Sequence, residues 1–137
     1  MRYKGSDHPL AEVEAACGCT ENGTLHAGLM LGARHFGFSV EAFTELGLDG
    51  LKRRVNGGDP AIVGYLLKPG DLRSDHFAVA YKITDRSICL TDSETHLRSG
   101  RRRRSVATFV NDLWLDTDQD SAVVRQWAMF IYRECPR

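Results

Sequence analysis

His76 and Asp92 are the two side chains whose types and placing suggest chemistry. His76 opens the apolar run His76-Phe77-Ala78-Val79-Ala80-Tyr81, and Asp92 closes the run from Ser87 to Thr91, with Asp85-Arg86 linking the two. Apolar runs joined by so short a link pair antiparallel, so the start of the first and the end of the second share one rim of a hairpin. A carboxylate beside an imidazole fixes its tautomer and raises its basicity, which suits the histidine to deprotonate a thiol or hydroxyl as a general base. The same positions also suit an exposed strand-start histidine and a turn aspartate, and spacing alone does not choose between the two.

The elements that must hold these residues show in the hydrophobic spacing. Leu10, Val13 and Cys17 make one face of a short helix that Ser6 or Asp7 caps, Pro9 begins and Gly18 stops. A second helix is expected over 24–36, with Thr24 as cap, Leu25, Leu29, Leu31, Ala33 and Phe36 as its apolar surface, and Gly37 as a left-handed stop. Gly28 and Gly32 weaken that helix intrinsically, so a neighbour packed closely on that face is the reason to keep them. Strands are expected over 38–43, 61–67, 76–83, 87–91 and 127–133. A short basic helix over 50–55 is closed by Asn56-Gly57-Gly58, and a late helix capped by Ser105 carries Val106, Phe109, Val110, Leu113 and Trp114. A polar, arginine-rich loop fills 93–104, and a polar stretch covers 116–120. Helices come first, followed by an antiparallel sheet with a late helix and no regular alternation, so the fold class is α+β. No repeat or long linker interrupts the chain, which reads as a single domain over 1–137.

A chain of 137 residues has room for one ordinary domain with a core. Its 42% hydrophobic and 26% charged residues are those of a globular chain and exclude disorder or a fibrous repeat. Eighteen basic side chains balance 18 acidic ones, which leaves no global pull toward nucleic acid or anionic membrane. No apolar stretch approaches the roughly 20 residues that span a bilayer. Glu12 interrupts any signal-peptide core, so a cytoplasmic location is expected. The four cysteines are then expected as reduced thiols.

A series of short motifs runs along the chain: Thr20-Glu21-Asn22-Gly23-Thr24, Phe36-Gly37-Phe38, Gly58-Asp59-Pro60-Ala61-Ile62-Val63, His76-Phe77-Ala78-Val79 and Leu90-Thr91-Asp92-Ser93. In order and spacing, residues 10–114 resemble the papain-like cysteine peptidases that process the double-glycine leader peptides of bacteriocins. Phe109 and Trp114 match that family's closing helix, whereas Ser93 stands where the family more often has proline. The resemblance implies a papain-like fold, His76 as general base, Asp92 as its orienting partner, a peptide or protein substrate and no cofactor. The reaction it implies is thiolate attack on a peptide bond, formation of an acyl-enzyme and its hydrolysis.

In that family the nucleophile is a cysteine in an Asp/Glu-Cys-Gly turn that starts a long central helix, with a glutamine just upstream. Arg2-Tyr3-Lys4-Gly5 resembles the tail of that helix. The resemblance therefore implies a domain apparently truncated at its N-terminus, with three explanations open: a misplaced gene start, a naturally shortened inactive relative, or a first helix supplied by another polypeptide. Self-association or a partner would then cover the sheet face that the helix would bury. Each large apolar side chain left wet there forfeits about 1.5–3 kcal/mol. Within the chain, Cys17 falls in the last turn of a helix, where the dipole raises a thiol pKa. Cys19, beyond that helix, is the better-placed candidate nucleophile, but assigning it breaks the Thr-x-x-Gly-Thr match. Both fit small buried hydrophobes, and Cys89 and Cys135 fit core or interface thiols. As written, the chain is expected not to cleave peptides.

Cys17-x-Cys19 with His26 or His35 lacks zinc-site spacing, since the two histidines do not share one helix face, so no metal is expected. Arg98 with Arg101 to Arg104 carries the second reading, a non-catalytic module that binds an acidic peptide or RNA through a basic loop. No aromatic residues interleave it, and Asp112, Asp116, Asp118 and Asp120 follow closely, so solvated loop charge is its expected state and nucleic acid is not an expected partner. His8, His26, His35 and His96 read as surface residues.

Overall fold

Period-two runs become strands and three-and-four spacings become helices along most of the chain. The structure, a computed structural model, describes residues 2–3, 6–7, 10–18, 25–91 and 101–133. β1 (Arg2–Tyr3) and β2 (Ser6–Asp7) form an antiparallel pair, followed by helices α1 (Leu10–Cys17) and α2 (His26–His35). Strand β3 (Phe38–Phe43), helix α3 (Leu48–Asn56) and strands β4 (Ala61–Leu66), β5 (Asp75–Ile83), β6 (Ser87–Thr91) and β7 (Arg101–Ser105) come next. A short helix α4 (Val106–Thr108) runs into a wider-wound π turn over Phe109–Leu113. Strands β8 (Leu115–Thr117), β9 (Val123–Arg125) and β10 (Ala128–Arg133) complete the order.

The larger sheet has the order β3-β10-β4-β5-β6-β7, and β8 pairs only with β9. From β10 to β7 every neighbouring pair is antiparallel, which is the α+β arrangement the sequence implied. Arg2 and Tyr3, aligned above with the tail of a helix, instead pair as a short strand with Asp7 and Ser6. Among the described residues no helix is long and apolar enough to cross a membrane.

The chain clusters into two units, one of residues 42–130 and one of residues 1–41 with 131–137. In the second of these, α1 packs on α2, and Gly32 is buried where they meet. A Cβ on Gly32 would collide with Cys17 Sγ and stand 3.3 Å from Cys17 Cα, so the interior glycine is kept for close helix approach. Cys17 itself is buried in the last turn of α1. α2 starts later than Thr24: Leu25, in extended backbone, is its capping residue and makes no side-chain cap bond. Its carbonyl accepts the first helical bond from Leu29, and packing against α1 substitutes for a polar cap.

In the 42–130 unit, Leu51 and Val55 of α3 are buried, and the Arg54 guanidinium lies 3.9 Å from the Phe130 ring centroid. The Asn56 side chain donates to the Ile83 carbonyl at 2.7 Å and accepts from the Ile83 N–H at 3.1 Å, completing the backbone bonding of the end of β5. Ser105 caps α4 as expected, accepting from the Thr108 N–H at 3.0 Å. Two expectations change here. Arg101 to Arg104 lie in a strand rather than a loop, because their backbone pairs with β6 from Ser87 to Thr91. The stretch 116–120 is part of a hairpin, whose turn forms because Asp118 Oδ1 accepts from the Asp120 and Ala122 N–H groups at 2.8 and 3.0 Å.

Candidate active site

Antiparallel register decides which side chains stand with His76. Tyr65 on β4 is directly opposite it, and Ala78 and Ala80 on the same face of β5 oppose Val63 and Ala61. Tyr65 is fully buried and His76 half-buried, with ring centroids 6.2 Å apart and planes at 64°. Phe109 in the π turn packs on Tyr65 at 6.1 Å, and Trp114 stacks on Phe109 at 5.4 Å. The π turn closes with a bond from the Trp114 N–H to the Phe109 carbonyl at 2.7 Å, and Trp114 Nε1 donates to the Trp127 carbonyl at 3.1 Å. A buried aromatic row thus supports the imidazole from one side.

The opposite face of the same strand pair is braced by β8. Asp75, immediately before His76, accepts from Thr117 Oγ1 at 2.8 Å and from the Thr117 N–H at 3.4 Å. Asp116 is buried, 2% exposed, and its carboxylate lies on Gly64: a Cβ there would stand 2.6 Å from Asp116 Cγ. Only glycine admits that approach. Gly64 is opposite Phe77, so the backbone on each side of His76 is held by a contact from β8. Asp116 is therefore buried against β4 and is not one of the solvated charges expected to offset the arginines.

β6 runs back toward the His76 end of β5, as the hairpin geometry requires, and its last described pair is Val79 with Thr91. Asp92, which follows Thr91 in sequence, lies outside the described residues, as do Cys19, Cys135, His96 and Arg98. Cys89 is paired with Lys82 and half-buried. Lys82 is about 20 Å along β5 from His76 at a rise of ~3.3 Å per residue, so Cys89 is no partner for the imidazole. Among the described residues no three metal-ligating side chains converge. One resolved pKa shift lies away from His76, in the turn after β5: the Lys52 ammonium, 2.6 Å away, holds the Asp85 carboxyl below the usual carboxylate range.

The sequence pointed to His76 but not to its supports. Tyr65, Asp75 and Asp116 act through cross-strand register and the position of β8, and the only local signals were a glycine inside an otherwise apolar run and a carboxylate next to the histidine.

Solved structures share this fold. The peptidase domain of ComA from Streptococcus, a bi-functional ABC transporter of a quorum-sensing pathway, matches with a TM-score of 0.69 at 18% identity, over 95% of this chain and 82% of that one. The Streptococcus mutans ComA peptidase domain matches with a TM-score of 0.62 at 19% identity, over 93% and 87%. A double-glycine motif protease from an AMS/PCAT transporter, solved in complex with a leader peptide, matches with a TM-score of 0.63 at 13% identity, over 93% and 74%. No curated protein matches the chain. The antiparallel sheet with its few helices is the papain-like fold of these domains. Residues 1–114 match the peptidase C39 family, and with most of its length so matched the chain belongs to that family.

Proposed function

We propose that this chain is a leader-peptide-binding domain of the C39 type, in which His76 occupies the general-base position, and that this polypeptide alone does not hydrolyse the peptide it binds. The observation that carries the reading is the His76–Tyr65 pair at the start of β5, backed by Phe109 and braced through Asp75 and Gly64. Asp92, one residue past the end of β6, is the carboxylate that would orient the imidazole. In a complete site of this kind a cysteine thiol gives its proton to the imidazole, and the thiolate attacks the scissile carbonyl. The imidazolium then protonates the leaving amine, and water releases the acyl group. Two of the cysteines do not fit that role: Cys17 is buried at the C-terminal end of α1, where the helix dipole disfavours a thiolate, and Cys89 is about 20 Å from His76 along the sheet. The reading places the domain in the cytoplasm, where its cysteines stay reduced.

The test is to incubate the purified chain with a synthetic double-glycine leader peptide, following cleavage by mass spectrometry and binding by fluorescence anisotropy. The expected result is saturable binding with no cleavage above the buffer control, and a Cys19 that iodoacetamide labels no faster than a free model thiol. Cleavage after the glycine pair that Cys19→Ser abolishes would overturn the inactivity. Absence of any binding would overturn leader recognition.

A further inference from the structure

The arginines of β7 sit on a sheet edge. Among the described residues β7 is the last strand of the sheet, so its outer row of N–H and C=O groups faces no described strand. Its inner row pairs Arg101 with Thr91, Arg102 with Leu90, Arg103 with Cys89 and Arg104 with Ile88. Strand alternation therefore places Arg101 and Arg103 on one face, beside Thr91 and Cys89, and Arg102 and Arg104 on the other, beside buried Leu90 and Ile88. With Tyr81, Cys89 and Arg102, the pair Arg101 and Arg103 lines a cavity of about 240 Å³. The Arg101 guanidinium stands 5.8 Å from the Tyr81 ring centroid. Arg103 is exposed and, among the described residues, makes no ion pair.

A lone charge is enough to keep an edge strand from pairing with copies of itself, and four consecutive guanidiniums exceed that need. The edge offers two kinds of recognition together. Its main chain can pair with an extended segment, and Arg101 and Arg103, about 7 Å apart on one face, present forked donors that match carboxylates at alternate positions of such a segment. RNA is less well served, because single strands are gripped through aromatic platforms and Tyr81 is the one aromatic side chain that lines this cavity.

We propose that β7 binds an extended acidic peptide as an added strand, with the peptide's main chain paired to the outer edge and its alternate carboxylates on Arg101 and Arg103. This surface is separate from His76 and works whether or not the domain cleaves anything.

The test is fluorescence anisotropy of the full chain with a labelled peptide alternating glutamate and valine. Two controls on the unaltered protein are the same peptide with lysine for glutamate and the same peptide N-methylated at alternate amides. Expected are saturable binding of the acidic peptide, at least tenfold weaker binding of either control, and weakening as sodium chloride is raised. Arg101→Glu with Arg103→Glu, checked for a native circular dichroism spectrum, should weaken the acidic peptide by at least tenfold. Equal binding of the lysine peptide would overturn the charge matching. Undiminished binding of the N-methylated peptide would overturn strand addition. A single-stranded RNA oligomer that binds more tightly than the acidic peptide would overturn the choice of partner.

Discussion

Gly64→Ala gives the sharpest test of how β8 braces the strand pair that carries His76. In an open strand the change would stabilise, since glycine in a strand costs about 0.5–1 kcal/mol relative to alanine. Here the added Cβ would stand 2.6 Å from Asp116 Cγ and 3.1 Å from Oδ1, inside the ~3.5–4.0 Å of ordinary carbon contact. Asp116 has no easy retreat. It is 2% exposed, and its strand is pinned on both sides of the contact, by pairing with β9 and by the Asp75–Thr117 bonds. Overpacking of this kind costs about 1–3 kcal/mol, and displacing a buried carboxylate from its setting costs about 1–3 kcal/mol more. After the gain from replacing glycine, a net destabilisation of about 1–5 kcal/mol is expected, which for a chain of this size lowers Tm by about 4–18 °C. Urea and thermal unfolding of Gly64→Ala, Asp116→Ala and the double variant measure it. If the contact is the cause, the cost of the alanine should fall by at least about 1 kcal/mol when Asp116 is already gone. A neutral or stabilising Gly64→Ala, or the same cost in both backgrounds, would refute the reasoning.

Asn56→Leu removes both bonds to the Ile83 backbone, at 2.7 and 3.1 Å, and leaves part-buried groups without partners, so a loss of about 1–3 kcal/mol in urea unfolding is expected. A loss below about 0.3 kcal/mol would show that water replaces the asparagine without penalty. Lys52→Met should raise the Asp85 titration midpoint toward that of a free carboxyl, read by carboxyl NMR. Because the folded pKa is the lowered one, the pair favours folding above the unfolded pKa, and that contribution disappears as pH falls through the lowered value. Asp85 is 94% exposed, so an unchanged midpoint in Lys52→Met, rather than any change in stability, is the result that would count against the pairing.

How much of this was legible depends on whether the information was local. The strand from Phe38 to Phe43, the strand from Ser87 to Thr91, the antiparallel hairpin between β5 and β6 and the close approach at Gly32 all follow from short-range spacing and were read directly. His76 was placed for the same reason, as the first residue of an apolar run next to a tight turn. Its supports were hidden because they depend on register between distant segments. Tyr65 faces His76 only once β4 and β5 are aligned, and Asp116 looks like a solvated charge until the 115–125 hairpin is laid on Gly64. The arginine run misled for a related reason: charge argues for a loop, while pairing to β6 makes an edge strand in which side chains alternate out of the way. At α2, packing on α1 set the start of the helix where a polar cap at Thr24 had been expected.

Around His76 the described contacts are Tyr65 of β4, backed by Phe109 of the π turn, and the bonds from Thr117 of β8 to the neighbouring Asp75. These contacts are packing and backbone bracing, a different matter from the activation of a thiol. That separates two properties that a family assignment alone would join. Placement of His76 and of the sheet edges is a matter of packing, whereas hydrolysis needs a thiol whose pKa an imidazole lowers. A thiol so activated alkylates faster than a free one near neutral pH, and it slows when the histidine is removed. Thiol reactivity in the wild-type chain and in His76→Gln thus reads the catalytic question directly, while leader binding and β7 binding read the scaffold. A fast thiol in the wild type that His76→Gln slows would mean that the chain carries a working pair. A slow thiol unaffected by that substitution would leave recognition as the property the fold preserves.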